Sequence, residues 1–249
     1  MTARRSGTKS PQVPYSLTAR VYDAIYAWKD YAAEARRIRA IVRSDGPPRA
    51  KTLLDVACGT GEHLTYLSRW YACTGLDVNE RMLRIARRKL PEVRFVRGRM
   101  QRFELGRQFD VVTCLFSAIG YVRSERELRQ TFRNLAAHLR PGGVAIVEPW
   151  LTPSAYRTRH IHLGTYGSKE FPIARMNIAA RRGSRSIMDM HHLVGTPRGV
   201  LHWVERHDMG LFDTRTDLNA FRSAGFRARY VRKGFMKDRG LYVAVRGSG

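Results

Sequence analysis

The feature that most constrains the fold is a regular alternation of short apolar segments and amphipathic helical segments between residues 51 and 147. The apolar segments have the length of strands, and we predict them to span residues 52–56, 73–78, 93–96, 109–116 and 144–147. The segments between them predict helices over residues 63–71, 80–90 and 125–139, the last ending at an Arg-Pro-Gly-Gly run. This alternation is typical of βαβ units, so it predicts an α/β fold with a mostly parallel sheet.

The regions on either side follow other patterns. Residues 1–14 contain two prolines and few apolar side chains, which predicts a flexible arm, whereas residues 20–43 carry apolar side chains at the spacing of one helix. Alternating segments with intervening turns over residues 171–213 predict a small antiparallel sheet, inserted at about residues 154–210. A helix and two strands complete a single domain over residues 15–246.

Composition narrows the range of partners. The 45 Lys and Arg residues exceed the 21 Asp and Glu residues, so the formal net charge of +24 favours polyanions such as nucleic acid, acidic lipid or phosphorylated small molecules. The arginines are spread along the chain and do not form one basic block. No apolar run approaches the roughly 18 residues of a membrane span. Three cysteines beside apolar segments predict reduced thiols in a cytoplasmic protein, and the histidines lack the spacing of metal ligands, so we expect no metal.

The most informative motif is the glycine loop Asp55-Val56-Ala57-Cys58-Gly59-Thr60-Gly61, which closes the first predicted strand. A dinucleotide fingerprint requires a third glycine, and here Glu62 would instead bring a negative charge to the phosphates. The loop therefore favours a cofactor without phosphate. Asp77 ends the next strand, where a carboxylate can accept both hydroxyls of a ribose. Ordinary turn residues are the alternative, but the combined spacing favours S-adenosylmethionine (SAM).

Several longer stretches carry a resemblance to a known family. The segments DVACGTGEH, GLDVNERML, FDVVTCLFSAIGY, HLRPGGVAIVEPW and DRGLYVAV resemble the class I SAM-dependent methyltransferases. More narrowly, they are similar to the N-methyltransferases that act on nucleotide-linked amino sugars in macrolide antibiotic biosynthesis. The resemblance runs from about Tyr15 to Val245. It implies a Rossmann-like fold, SAM as the cofactor and a small-molecule amine as the methyl acceptor.

The resemblance also implies a set of cofactor-binding residues at the strand ends and in the N-terminal segment. They are Tyr22, Asp55, Ala57, Cys58, Gly59, Gly61, Asp77, Val78, Met82, Met100, Gln101 and Phe116. Met82 would pack against adenine, although simple core packing is the alternative. The sequence departs from the family at Arg99, where an acid usually accepts a hydrogen bond from the adenine amino group. Because arginine has no acceptor, backbone groups around Met100 and Gln101, or stacking of Arg99, would have to replace that contact.

The acceptor would be bound by residues that the resemblance gathers from the whole chain: Tyr15, Tyr31, Ser117, Trp150 and Arg239. Arg239 could pair bidentately with a nucleotide phosphate, although any one arginine of so basic a chain could equally be a surface residue. Tyr15 and Tyr121 are the candidate catalytic residues. No strong base is evident in the sequence, so we expect Tyr121 to hold or orient the amine rather than to deprotonate it.

Two other functions stay open at this point. An RNA methyltransferase would explain the basic composition, although the chain has neither a recognisable RNA-binding appendage nor a base-methylation motif after the fourth strand. A SAM-binding protein without catalysis is favoured only by Arg99. The predicted antiparallel insert also suggests a surface for a homodimer.

Overall fold

The computed structural model describes residues 18–247, so the predicted arm and Tyr15 lie outside the described residues. The helices are α1 (Tyr22–Ile25), α2 (Tyr31–Asp45), α3 (Glu62–Leu67), α4 (Glu80–Lys89), α5 (Glu125–Ala137) and α6 (Thr214–Ser223). The strands are β1 (Thr52–Val56), β2 (Ala72–Asp77), β3 (Arg94–Arg97), β4 (Phe109–Cys114), β5 (Leu139–Val147), β6 (Ile161–Gly167), β7 (Pro172–Arg182), β8 (Arg185–Thr196), β9 (Gly199–Gly210), β10 (Phe226–Val231) and β11 (Leu241–Arg246).

Seven of these strands form the core sheet, in the order β10-β11-β5-β4-β1-β2-β3. Strands β1 to β5 run parallel to one another, and β11 and β10 close one side in antiparallel register. The prediction of an α/β fold with a mostly parallel sheet is therefore confirmed. Because the carboxyl ends of parallel strands meet at one edge, the glycine loop after β1, Asp77 on β2 and the turn after β4 come together there.

Helices cover both faces of the core sheet. Leu128 and Phe132 of α5 and Phe221 of α6 pack on one face, where the rings of Phe132 and Phe221 stack at 3.7 Å. Ile38 of α2, with residues of α3 and α4, packs on the other face. Burying apolar side chains on both faces holds the sheet rigid, so the loops at its carboxyl edge start from fixed positions.

The insert between β5 and α6 is a separate antiparallel sheet in the order β6-β7-β8-β9. Three of its strands agree with the predicted alternation over residues 171–213. Strand β6 was not predicted, because most of its side chains on both faces are exposed and give no alternating signal. Among residues 18–247, no helix is long and apolar enough to cross a membrane.

Two predicted elements are corrected by the structure. The single helix over residues 20–43 is interrupted between Ile25 and Tyr31, because the Asp30 carboxylate caps a new helix by accepting from the Ala33 N–H at 2.8 Å. The predicted helix over residues 125–139 ends at Ala137. Arg140 to Gly143 belong to β5, so this run begins a strand instead of ending the helix.

Candidate active site

The glycine loop makes a tight left-handed turn between β1 and α3. Ala57, Gly59 and Gly61 all have positive φ, at 62°, 56° and 80°. Gly61 is the N-cap residue of α3, a position at which glycine adopts this left-handed conformation without strain. A Cβ built on Gly59 would meet no protein atom within 4 Å, so the loop leaves open space there. Open space at this position suits the methionyl part of a bound cofactor. The geometry is therefore compatible with the predicted cofactor-binding role of the loop residues.

Asp77 holds the loop from the neighbouring strand. Its carboxylate accepts hydrogen bonds from the Gly59 N–H at 2.9 Å and from the Asn79 N–H at 2.7 Å. Burial raises the pKa of Asp77, while the hydrogen bonds from the backbone oppose that shift. A carboxylate has about four lone-pair sites, so these hydrogen bonds do not use its full capacity to accept. This geometry suits the predicted contact with ribose hydroxyls.

A cavity opens beside this loop, at the carboxyl edge of the sheet. Seven predicted site residues line it: Tyr22, Tyr31, Asp55, Ala57, Cys58, Gly59 and Phe116. Among them, Asp55 accepts a hydrogen bond from the Thr113 hydroxyl at 2.7 Å, and burial raises the pKa of Asp55 to about 6. Tyr31 was predicted to face the acceptor, and it shares this cavity with the predicted cofactor residues.

A buried charge cluster next to the cavity was missed from the sequence. Glu34 forms an ion pair with Lys29, and its other oxygen lies 2.8 Å from Nε2 of His63. Burial alone would raise the pKa of Glu34, but the hydrogen bonds and charges of His63 and Lys29 outweigh it and lower the pKa. Lys29 also lies over the Phe116 ring at 4.9 Å. The only signal in the sequence was the charged segment Lys-Asp-Tyr-Ala-Ala-Glu at residues 29–34, within the predicted helix over residues 20–43.

Polar contacts on two sides fasten the N-terminal segment over the cavity. On one side, Asp23 of α1 accepts from the Thr60 hydroxyl at 2.6 Å and pairs with Lys89 at 2.9 Å. On the other side, Glu205 of β9 accepts from the Thr18 N–H at 3.2 Å and from the Thr18 hydroxyl at 2.7 Å. The segment that carries Tyr22 is therefore held between the glycine loop and the insert.

The turn after β4 carries two further predicted residues in a strained conformation. Phe116 and Ser117 have φ angles of 52° and 59°, which non-glycine residues rarely adopt. Glu148, at the end of β5, accepts from the Phe116 N–H at 2.6 Å and from the Met236 N–H at 3.2 Å. This fully buried carboxylate was not predicted. Its signal in the sequence was an acid directly after the apolar run at residues 144–147.

Ser117, Trp150 and Arg239 were predicted separately, and Arg239 is in contact with both of the others. An Nη of Arg239 donates to the Ser117 hydroxyl oxygen at 2.9 Å, and the guanidinium lies 4.3 Å from the centre of the Trp150 ring. The Ser117 hydroxyl donates to the Pro149 carbonyl at 2.6 Å, and the Trp150 indole N–H donates to Ser186 of the insert at 2.9 Å. Stacking on an aromatic ring orients a guanidinium and keeps its donors available in one plane.

Tyr121 lies in a short 3-10 helix, Ala118–Tyr121, that continues the same turn. Its phenol oxygen is 2.6 Å from Nδ1 of His207, which is buried on the inner face of β9. Burial, followed by the charges of His192 and Arg175, lowers the pKa of His207 to about 3. The sequence pattern gave no indication that this histidine would contact a predicted site residue.

The predicted adenine residues are spread along the next part of the same edge. Met82 is buried in α4, and Met100 belongs to the hydrophobic core on one face of the sheet. Val78 and Gln101 are half-buried, and Arg99 is exposed. The roles of these residues toward adenine stay predictions.

Comparison with known proteins agrees with this geometry. A family model described as a methyltransferase domain matches residues 53–143. A dTDP-3-amino-3,6-dideoxy-alpha-D-glucopyranose N,N-dimethyltransferase from Streptomyces fradiae is 37% identical, over 99% of this chain and 98% of its own length. A dTDP-3-amino-3,4,6-trideoxy-alpha-D-glucopyranose N,N-dimethyltransferase from Streptomyces venezuelae is 39% identical, over 91% of this chain and 97% of its own.

Solved structures point the same way. DesVI from Streptomyces venezuelae superimposes with a TM-score of 0.87 at 38% identity, covering 92% of this chain and 98% of its own. SAM-bound CalS10, an amino pentose methyltransferase from Micromonospora echinaspora, superimposes with a TM-score of 0.82 at 32% identity, covering 96% and 100%. The fold, the glycine loop and the matched domain define a class I methyltransferase that uses SAM. Within that class, the chain belongs to the family of dTDP-amino-sugar N,N-dimethyltransferases.

Proposed function

We propose that this protein transfers methyl groups from SAM to the amine of a dTDP-linked amino sugar. The observation that carries the proposal is the turn at Phe116 and Ser117, which links the cofactor cavity to the predicted acceptor-binding residue Arg239. Phe116 lines the cofactor cavity, and Ser117 accepts from the stacked guanidinium of Arg239. A nucleotide sugar supplies the diphosphate that a guanidinium pairs with. The family relatives are named for acceptors of this class.

For methyl transfer from SAM, the main task of the protein is to position the acceptor amine. When bound, SAM supplies a methyl group that is already activated by its positively charged sulfur. The protein must hold a neutral amine in line with that methyl group and keep water out, and such ordering supplies roughly 7–11 kcal/mol in favourable cases. The Tyr26 ring packs edge-on at 4.8 Å against Phe116, which lines the cavity. A histidine with a pKa near 3 is too weak a base for an alkyl ammonium, so we expect the amine to bind in its neutral form.

The test uses methyl-labelled SAM with the two dTDP-3-amino sugars named above, and with total RNA in a separate reaction, at a salt concentration that screens polyanion binding. We expect label on a sugar, with two methyl groups per amine. Label on RNA alone would overturn the proposal and make the net charge of +24 the relevant feature. SAM binding without any transfer would instead favour a non-catalytic protein.

A substitution at Arg239 tests the acceptor side separately. Without the guanidinium the diphosphate loses charge-assisted hydrogen bonds, so Arg239→Ala should raise the KM for the sugar roughly 10- to 100-fold. The Kd for SAM should stay within about 2-fold, because this arginine contacts Ser117 and Trp150 and does not line the cofactor cavity. Arg222→Ala, which removes an exposed arginine from α6, is the matched control.

We also propose that the protein forms a homodimer through the outer face of the insert. All four strands contribute exposed apolar side chains to this face, among them Leu163 (65% exposed), Ile178 (59%) and Val204 (43%). Two pairs of opposite charge lie on this face: Asp189 pairs with Arg206 at 2.6 Å and 2.7 Å, and Asp208 pairs with Arg185 at 3.0 Å. In a protein of net charge +24, this apolar and locally neutral face is where two copies can approach without repulsion.

Light scattering after size-exclusion chromatography tests the dimer. Ile178→Glu puts a charge in the middle of the apolar face and should give a monomer. Gln130→Glu, which adds the same charge on the exposed surface of α5, should remain dimeric. A monomeric wild-type protein at micromolar concentration would overturn the proposal.

A cytoplasmic location is supported by the cysteines. Cys58, Cys73 and Cys114 are all free. Burial raises the pKa of each thiol, which keeps the reactive thiolate rare. We infer a protein adapted to a reducing compartment. Fractionation of cells that express the chain would test this, and recovery outside the cytoplasmic fraction would contradict it.

A further inference from the structure

We propose that Glu148 is a positioning residue that couples the cofactor cavity to the acceptor-binding residues, so that SAM and the dTDP-linked sugar each tighten the binding of the other. The proposal rests on the proposed function, since it concerns the same site. It gives a role to a fully buried carboxylate that was not predicted from the sequence.

Glu148 bridges two segments that belong to different parts of the site. One carboxylate oxygen accepts from the Phe116 N–H at 2.6 Å, on the turn after β4. The other oxygen accepts from the Met236 N–H at 3.2 Å, in the loop between β10 and β11. The backbone N–H of Glu148 donates to the Cys114 carbonyl at 2.9 Å, which ties the residue to the end of β4. The carboxylate therefore holds both segments from a fixed position at the edge of the core sheet.

Four hydrogen bonds close a ring through this carboxylate. Beyond its two bonds, the Met236 carbonyl accepts from the Arg239 N–H at 3.4 Å, and the Arg239 guanidinium donates to the Ser117 hydroxyl oxygen at 2.9 Å. Ser117 follows Phe116 in the chain, so the ring returns to the first donor of Glu148. Phe116 lines the cofactor cavity, and Arg239 is the proposed partner of the diphosphate. The ring thus contains one residue from each binding site.

The turn after β4 needs such support. Phe116 and Ser117 have positive φ angles, at 52° and 59°. Non-glycine residues keep this conformation only where the surrounding groups hold it. A ligand that packs against Phe116 fixes the turn, and with it the Ser117 hydroxyl that orients Arg239. The second ligand then meets residues that are already ordered, which is the condition for positive coupling between two sites.

The ring requires an acceptor on both arms of the Glu148 side chain. A carboxylate presents two oxygens, whereas the amide of a glutamine presents one oxygen and one N–H donor group. In Glu148→Gln the amide nitrogen therefore faces a backbone N–H on one arm, and that hydrogen bond is lost. Burial raises the pKa of Glu148, while the positive charges of Lys29 beside the cavity and of Arg239 oppose that shift. Charged groups from both sides of the site thus act on this carboxylate.

Calorimetry measures the coupling directly. The Kd for each of the two dTDP-3-amino sugars is measured without and with saturating S-adenosylhomocysteine, which lacks the transferable methyl group and so prevents turnover. We expect the sugar to bind about 10-fold more tightly with S-adenosylhomocysteine in the wild-type protein, and less than about 2-fold more tightly in Glu148→Gln. Because coupling is reciprocal, the sugar should tighten the binding of S-adenosylhomocysteine by the same factor. Asp217→Asn, which converts a buried carboxylate of α6 to its amide, is the matched control and should keep the wild-type ratio.

Two further measurements separate coupling from a structural role. If Glu148 only stabilised the fold, Glu148→Gln would lower the melting temperature and weaken both ligands, but the ratio of the two Kd values would stay at its wild-type value. Ser117→Ala opens the same ring at the hydroxyl that accepts from Arg239, so it should also reduce the coupling. In the double variant the coupling should fall no further, because the ring is already open. Ser117→Ala replaces Glu148→Gln in the test if the latter does not fold.

A wild-type ratio in Glu148→Gln would overturn the inference, and so would a wild-type protein in which neither ligand changes the affinity for the other. Failure of the wild-type protein to bind or methylate any amino sugar would be a different result. It would reject the proposed function rather than the role of Glu148 within it.

Discussion

The core sheet and the insert sheet distribute their polar side chains in opposite ways. In the core sheet, strand residues are buried on both faces, Leu54 on one and Val111 on the other, and the polar groups of the site lie at the strand ends. In the insert, buried polar side chains such as Glu205 and His207 lie on the inner face, while apolar side chains such as Leu163 cover the exposed outer face. The core sheet thus supplies a rigid edge for the cofactor. The inner face of the insert supplies polar side chains that contact the N-terminal segment and Tyr121.

This difference explains why the site residues of the core sheet could be predicted from the sequence, whereas the contacts made by the insert could not. The glycine loop and Asp77 belong to strand–turn–helix units whose residues are near one another in the chain, so their meeting at one edge follows from the alternation alone. The contacts of Glu205 and His207 join segments more than 80 residues apart. No local pattern encodes those pairings, and buried histidines on one face of a strand do not differ in sequence from exposed ones.

The largest effect should come from the edge of the core sheet. Asp77→Ala removes the acceptor of two backbone N–H groups and of the predicted ribose contact, so we expect the Kd for SAM to rise about 1,000-fold, from two or three charge-assisted hydrogen bonds. Asp189→Ala, on the outer face of the insert, should leave the affinity unchanged. Isothermal titration calorimetry measures both. Similar affinities for SAM in Asp77→Ala and Asp189→Ala would remove the distinction between the two sheets.

The pH dependence of stability should also differ between the part of the molecule built on the core sheet and the insert. Asp217 on α6 accepts from the Tyr242 hydroxyl at 2.7 Å, and burial raises its pKa to about 7. The folded state therefore binds a proton that the unfolded state releases near pH 4, so the stabilising effect of that proton is lost as pH rises from about 4 through 7. Asp217→Asn should remove this loss and add up to about 4 kcal/mol to the free energy of unfolding at pH 8.

Asp189 on the insert is the matched comparison, because its contribution to stability changes with pH in the opposite direction. The hydrogen bond from Arg206 lowers the pKa of Asp189. Its contribution to stability is therefore present above the unfolded pKa near 4 and is lost as pH falls through the folded value. Urea unfolding of Asp217→Asn and Asp189→Asn at pH 3, 5 and 8 measures both slopes. A stability difference from wild type that is independent of pH in Asp217→Asn would contradict the assignment.

A smaller effect is expected where the insert holds the N-terminal segment. Glu205→Ala removes both hydrogen bonds to Thr18 and should loosen the segment that brings Tyr22 over the cofactor cavity. We expect SAM to dissociate about 10-fold faster, the equivalent of one or two hydrogen bonds. Glu205→Gln keeps one acceptor and should give an intermediate rate. An unchanged dissociation rate in a chase with unlabelled SAM would show that the insert does not stabilise the closed segment.

The smallest effect concerns Arg99, the position at which the chain departs from its family. The side chain is exposed at the edge of the core sheet. If backbone groups around Met100 and Gln101 recognise adenine, Arg99→Ala should change the Kd for SAM by less than about 3-fold, as is usual for an exposed side chain. Arg99→Asp, which restores the usual acid, should tighten binding a few-fold by adding an acceptor for the adenine amino group. Clear weakening in Arg99→Ala would instead favour stacking of the guanidinium on the base. Calorimetry on the two variants therefore decides whether adenine is bound by backbone groups at this edge of the sheet or by the Arg99 side chain that stands in place of the usual acid.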